Sequence, residues 1–314
     1  MKYTRLICLC TALFVLTGLL TGCAKKPETA GKPRIALIMK SLANEFFKTM
    51  EDGARKHQQE HASEYDLITN GIKDEQDVAK QIDLVEQMIA QGVDAIVIAP
   101  ADSKAMVSVC KRAADAGIVV VNIDNKFDAA ALAEKHLKLP FVGPNNRTGA
   151  RLAGEVLAKE LKPGDKVAIV EGAPNAYNAI QRKLGFQDAM KGFKIVTSQT
   201  GNWETAKANQ VVSGMITEHP DLKGILCAND NMALGAVAAL KEAGKLDSVA
   251  VVGFDNIAAV QQLVKEGKIL ATVDQHADQL AVFGIEYALQ MIKEKGTPAD
   301  KETPVDLITA ETLK

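Results

Sequence analysis

Aromatic residues make up only 4% of this 314-residue chain, and Trp occurs once, so any aromatic in a loop is a scarce feature worth placing. A basic surplus is missing too: 37 Lys and Arg stand against 39 Asp and Glu, a formal charge of −2, which excludes the phosphate-backbone binding of a nucleic-acid protein. Neither G-x-x-x-x-G-K-[ST] nor G-x-G-x-x-G occurs, so the backbone cradles for nucleotide phosphates are absent. A serine nucleophile would need an elbow such as G-x-S-x-G, and none is present. The five His (His57, His61, His136, His219, His276) form no H-E-x-x-H signature and no D-x-[DN]-x-[DN]-G calcium loop exists, so no metal or cofactor is expected. These His read as solvated helix and loop residues. What the chain does have is apolar mass: 47% hydrophobic residues, enough for the cores of about two domains at ~150 residues each.

At the N-terminus Lys2 and Arg5 precede an apolar run over 6–20, with no acidic residue before position 23. That pattern is a secretory signal over 1–22, too short to remain as a membrane helix. It ends in Leu20-Thr21-Gly22-Cys23, which resembles the lipobox of bacterial lipoproteins. The resemblance implies cleavage before Cys23 and acylation of that residue, hence a periplasmic protein held to a membrane by lipid. Ala24, with no Asp at that place, implies outer-membrane sorting in a Gram-negative source. Residues 23–33 then form a polar, Pro- and Gly-containing linker. Cys8 and Cys10 leave with the signal, and Cys110 and Cys227 are expected to be buried singletons rather than a disulfide.

From residue 34 onward, β-branched runs alternate with amphipathic stretches. The runs over 34–39, 93–99 and 118–123 do not alternate with polar residues and so predict strands buried on both faces. Over 75–91, Val78, Ile82, Val85 and Ile89 recur at helical spacing. The rhythm continues with strands near 166–170, 194–199, 224–228, 249–254 and 269–273, and helices near 146–161, 177–191, 204–218, 230–243, 256–266 and 277–295. The fold class is α/β with parallel sheets, and the number of strands exceeds one ordinary doubly wound sheet. The poorly patterned segment 124–144 is where a domain crossing is placed.

In such sheets ligands bind beyond the carboxyl ends of the strands, where helix N-termini converge. The polar residues there are Lys40, Ser41 and Asn44, then Asp102, Asp124 with Asn125, Asn229 with Asp230, Asp255 with Asn256, and Gln275. Carboxylates and amides in this arrangement suit polyols: an ionised Asp accepts from adjacent hydroxyls, and Asn and Gln both donate and accept. Phe46, Phe47 and Trp203 add rings that stack on the C–H face of a sugar, unless they belong to the core or the rim.

With these residues the chain resembles the periplasmic sugar-binding proteins of the ribose-binding type, relatives of the effector domains of sugar-responsive repressors. The matching segments are Ser41-Leu-Ala-Asn-Glu-Phe-Phe47, Ala99-Pro-Ala-Asp-Ser103, Asn122-Ile-Asp124, Arg182-Lys-Leu-Gly-Phe186, Ala228-Asn-Asp-Asn-Met-Ala-Leu-Gly235, Val251-Val-Gly-Phe-Asp255 and Ala271-Thr-Val-Asp-Gln275. The resemblance implies the type I periplasmic binding protein fold: two doubly wound, Rossmann-like lobes joined by a three-strand hinge. Its lobes would be 34–144 with 276–306 and 145–275 with 307–314. It carries ligand contacts over to Asn44, Phe46, Phe47, Asp124, Trp203, Asn229, Asp255 and Gln275, with Arg182 matching an Arg of the motif. Asn125 stands where ribose binders have an Arg, and Ile180 where a ligand-binding Arg is expected, so two guanidinium forks are expected to be missing. Glu45 replaces a usual Pro. Lys40 either holds the carboxylate of an acidic sugar or caps the rim in solvent. The implied function is non-enzymatic: a monomeric solute-binding lipoprotein that captures a sugar or polyol and delivers it to an ABC transporter permease. A sensor presenting its closed form to a chemotaxis or kinase receptor is the alternative. A repressor is disfavoured, since a secretory signal occupies the place of its DNA-binding helices.

Overall fold

The computed structural model describes residues 31–313; the signal, Cys23 and most of the linker lie outside them. The apolar runs form strands buried along their length except at the first residue of two of them, as in β1 (Arg34–Ser41), β3 (Ala95–Ile98) and β4 (Val119–Ile123). With β2 (Asp66–Ile72), β5 (Phe141–Pro144) and β11 (Lys301–Thr303) they make a six-stranded parallel sheet in the order β11-β5-β4-β3-β1-β2. The helices between them are α1 (Glu45–Glu60), α2 (Val78–Gln91), α3 (Val107–Asp115) and α4 (Ala129–Glu134).

A second six-stranded sheet has the order β12-β10-β9-β8-β6-β7, built from β6 (Lys166–Glu171), β7 (Lys194–Thr200), β8 (Gly224–Cys227), β9 (Ala250–Val252), β10 (Ala271–Asp274) and β12 (Asp306–Thr309). Its helices are α5 (Asn146–Glu160), α6 (Tyr177–Ala189), α7 (Thr205–Glu218), α8 (Asp230–Glu242) and α9 (Ala258–Lys265). Here β12 runs antiparallel to β10, which departs from an all-parallel expectation. The cause is topological. β11 runs parallel in the first sheet, so a chain leaving its carboxyl end enters the second sheet from that sheet's own carboxyl edge and must run backward. The last long helix, α10 (Ala277–Glu294), follows β10 but packs on β4, β3 and β1 of the first sheet. A Cβ at Gly284 would lie 2.7 Å from Val97, so glycine is what lets α10 approach this closely.

Two local details depart from the sequence reading. α2 begins at Val78 because Asp77 caps it, accepting from Lys80 N at 3.0 Å, and ends at Gly92 with φ of 66°. Its most buried line is Gln81, Leu84, Val85 and Met88, with Val78, Ile82 and Ile89 flanking. Gln81 is tolerated there because its amide bridges β1 and β3, donating to Met39 O (3.1 Å) and Ala99 O (2.9 Å). Cys110 and Cys227 are buried and free, as expected.

Candidate functional site

Loops from the carboxyl ends of both sheets converge on one small cavity between the lobes. From the first lobe its wall takes Lys40, Asn44, Phe46, Phe47, Glu75 and Asp124. The second contributes Asn178, Arg182, Trp203, Asn229, Asp255 and Gln275.

Each lining residue is aimed by a specific local device. Asn44 and Asn229 cap α1 and α8: their Oδ1 atoms accept from Phe46 N (3.0 Å) and Met232 N (2.9 Å). Capping uses the oxygen and fixes the amide, so Nδ2 of Asn44 donates to Glu75 Oε1 at 3.0 Å. Phe46 and Phe47 meet edge to face, with ring centroids 5.1 Å apart, and both face the cavity, so neither is purely core. Asp124 (φ 61°), Trp203 (φ 69°) and Asp255 (φ 125°) hold left-handed backbone conformations, which cost free energy for residues with a Cβ and cluster where function needs them. Trp203 is only 4% exposed, a wall residue rather than a rim contact. Its indole lies over Gly172, where a Cβ would be 2.1 Å from the ring.

Lys40 is 3% exposed, which overturns its placement on a solvated rim. The β1–β2 register shifts between Met39 and Ser41, making Lys40 the extra residue of a bulge, and bulges re-aim side chains. Its ammonium lies 3.2 Å from Asp124 Oδ2 and 3.9 Å from Glu75 Oε2, between the rings of Phe47 and Trp203 at 5.5 and 5.6 Å. Across the cavity Arg182 donates to Asn146 Oδ1 (2.8 Å), Ala228 O (2.9 Å) and Asp255 Oδ1 (3.4 Å), stacked 3.7 Å over Phe254. Gln275 Nε2 donates to the same Asp255 oxygen at 2.7 Å. Behind Asp255, Asp230 ties its loop by accepting from Ile257 N and Thr272 Oγ1. Burial pushes the carboxyls of Asp230 and Glu75 up to about 7. It raises Asp255 well above the usual range as well, against the opposing pull of Arg182.

Two polar atoms of the wall, Asn178 Oδ1 and Gln275 Oε1, are buried without a hydrogen-bond partner in the protein, and Asp124 Oδ2 has only the Lys40 ammonium beside it at 3.2 Å. No hydroxyl, thiol or imidazole side chain lines the cavity, so a Ser-, Thr- or Cys-type nucleophile with a His base is not part of its wall. Among the described residues no group of three or more His, Cys, Asp or Glu could hold a metal ion.

The site read from sequence differs from the observed one at four positions. Asn125 does not line the cavity: it is fully buried, donating to Pro100 O (2.9 Å) and accepting from Asn178 N (3.2 Å). Ile180 is 49% exposed and outside the wall, so it takes no guanidinium from the cavity, where Arg182 already provides one. Glu75 and Asn178 were missed. Two His also have structural roles: His57 stacks on His61 and bonds Tyr65 Oη at 2.9 Å, and His276 Nε2 pairs with Asp306 at 2.9 Å.

Residues 35–296 match the family described as periplasmic binding protein domain. The chain is 59% identical over 289 residues to the D-ribose/D-allose-binding protein of Pseudomonas aeruginosa, covering 90% of this chain and 91% of that protein. It is 33% identical over 278 residues to the ribose import binding protein of Escherichia coli, covering 88% and 90% of the two chains. Among solved structures, an ABC transporter solute-binding protein from Burkholderia multivorans aligns with a TM-score of 0.88 at 59% identity, over 89% of this chain and 100% of that one; it holds an unknown ligand interpreted as alpha-D-erythrofuranose. Another, from Actinobacillus succinogenes with bound D-allose, aligns at 0.84 and 38% identity, over 90% and 99% of the two chains.

Proposed function

The chain belongs to the periplasmic binding protein family, and from that premise we propose that it captures a neutral aldose of the ribose and allose type between its lobes and delivers it to an ABC transporter permease. The observation that carries this reading is the pair of unpartnered buried oxygens on Asn178 and Gln275, with Asp124 Oδ2 held only by Lys40, flanked by three aromatic rings. Buried acceptors without donors call for a ligand rich in hydroxyls, and the rings call for one with an apolar face. Ribose and allose share the configuration of C2, C3 and C4, so one constellation of acceptors serves both.

Charge balance argues for a neutral sugar over an acidic one. Both wall cations are matched, Lys40 to Asp124 at 3.2 Å and Arg182 to Asp255 at 3.4 Å, and Glu75 adds a third carboxyl. No cation is left over for a ligand carboxylate. The protein is not an enzyme: its relatives are binding and transport proteins. We take 34–144 with 276–306 as one moving lobe and 145–275 with 307–314 as the other, with Cys23 as the lipid anchor. Mass spectrometry of the exported protein should find acyl chains on Cys23; a mature terminus elsewhere rejects the anchor.

The test of binding is fluorescence of Trp203, the sole Trp, in mature protein stripped of carried-over ligand. D-Ribose or D-allose should give a saturable change, and D-glucuronate none. Asp124→Ala and Asp255→Ala should abolish the response while circular dichroism stays unchanged, because each removes bonds to a charged acceptor of roughly 1.5–3 kcal/mol apiece. Silence across pentoses, hexoses and polyols, or near-native affinity in both variants, would reject the reading.

A further inference from the structure

Two helices of the second lobe begin without a cap of their own. α6 has Ala176 at its N-cap and α9 has Ile257, and neither offers a side-chain acceptor. Their first N–H groups are instead satisfied from the first lobe. Tyr177 N donates to Ser103 Oγ at 2.9 Å, Asn178 N to Asn125 Oδ1 at 3.2 Å, and Ala258 N to Glu45 Oε1 at 2.7 Å. Beside them, Ser103 N donates to Asn175 O (3.1 Å) and Asn175 Nδ2 to Asp102 Oδ2 (2.8 Å). None of Glu45, Ser103 and Asn125 lines the cavity. Two of the three are also positions where the sequence departs from the ribose-binder pattern, Asn125 in place of Arg and Glu45 in place of Pro. Proline has no side-chain acceptor to offer a helix end.

We propose that Glu45, Ser103 and Asn125 are positioning residues for ligand capture: from the first lobe they cap the bare N-termini of α6 and α9 in the second, and so set the equilibrium between joined and separated lobes. This rests on the sugar-capture reading above. When the lobes part, the freed N–H groups exchange these fixed acceptors for water and lose the net gain of each cap, so the caps favour the joined state alone. Their contribution is independent of which sugar is bound. A residue that acts only through the fraction of joined protein scales the affinity of every ligand by one factor, whereas a ligand contact alters the ratio between ligands.

The experiment compares D-ribose and D-allose affinities of wild type, Asn125→Ala, Glu45→Ala and Glu45→Gln by Trp203 fluorescence, with small-angle X-ray scattering of the sugar-free proteins. Each alanine variant should weaken both sugars by the same factor, about five- to tenfold, and should enlarge the sugar-free radius of gyration; Glu45→Gln, which keeps the acceptor oxygen, should recover most of the affinity. Unchanged affinities overturn the proposal. So does a changed ribose-to-allose ratio in Asn125→Ala, which would make Asn125 a ligand contact. If the wild type binds no sugar, the functional reading fails separately, and scattering alone decides the latch: larger radii in the alanine variants support it, and equal radii overturn it.

Discussion

Replacing Lys40 by Met tests the electrostatic frame of the cavity while sparing its packing, since Met keeps an unbranched apolar stem between the rings of Phe47 and Trp203. The ammonium serves two carboxyls, Asp124 at 3.2 Å and Glu75 at 3.9 Å, all three groups being buried. Removing one partner of a buried pair leaves an uncompensated charge and costs about 3–5 kcal/mol. Taking the lower figure, the melting temperature should fall by about 6–12 °C, at roughly 2–4 °C per kcal/mol for a chain of this size class. The loss should depend on pH with a definite sign. Burial raises Glu75 from 4.5 to about 7 in the folded protein, so its protonation stabilises the fold; that contribution is full below pH 4.5 and is lost as pH rises through about 7. Lys40 is the charge that opposes this rise, so without it the folded carboxyl titrates higher still and the loss at alkaline pH grows. Differential scanning calorimetry of the wild type and Lys40→Met at pH 6 and pH 8 should therefore show the larger deficit at pH 8. A melting temperature within about 2 °C of wild type at both values would refute the buried-pair argument, and a larger deficit at pH 6 would refute the assignment to Glu75.

Two further outcomes follow from the same geometry. Glu75→Gln should flatten the fall in stability between pH 5 and pH 8, removing up to about 3 kcal/mol of pH dependence; Asp230, also raised to about 7, leaves a residual slope of the same sign, and thermal melts across that range are the check. Gly172→Ala should push the indole of Trp203 out of place at a cost of about 1–3 kcal/mol, because the new Cβ would lie 2.1 Å from the ring; sugar-dependent fluorescence should drop with the fold intact, and an unchanged titration would contradict the placement.

The strands that carry the site were legible because a sheet covered on both faces writes itself as an uninterrupted apolar run. β2 was not. It is an edge strand whose residues are mostly half-buried and include Asn70 and Gly71, so its bounds do not stand out, and Glu75 beyond its end reads only as the start of the 75–91 helical stretch. The choice between cavity and rim for Lys40 stayed open because a bulge leaves no mark in composition. Asn125 looked like a cavity residue through adjacency to Asp124, yet the left-handed turn at Asp124 sends neighbouring side chains to different sides. The error at Ile180 was avoidable. Asn178 and Arg182 lie four apart on α6 and share a face, whereas Ile180, two residues from each, points about 200° away from both. Helical spacing alone assigns the inward guanidinium to 182, and the observed burial agrees.

The wall explains why a polyol, and not merely something small, should draw the lobes together. Each buried acceptor left without a donor costs about 1–3 kcal/mol, and the cavity has two of them, both on the second lobe, while Asp124 Oδ2 on the first has only the Lys40 ammonium. Joining the lobes creates that penalty, since apart the same oxygens face water. Moving a two-state equilibrium from 1:99 to 99:1 takes about 5.5 kcal/mol of differential affinity, which is of the same order as satisfying both acceptors and adding a charge-assisted bond to Asp124. An apolar molecule of equal volume fills the space between the rings but leaves the penalty standing. A sugar offers a hydroxyl to each oxygen, so it binds the joined form in preference to the separated one. The trans caps on α6 and α9 then set how far that preference must reach before the joined form dominates.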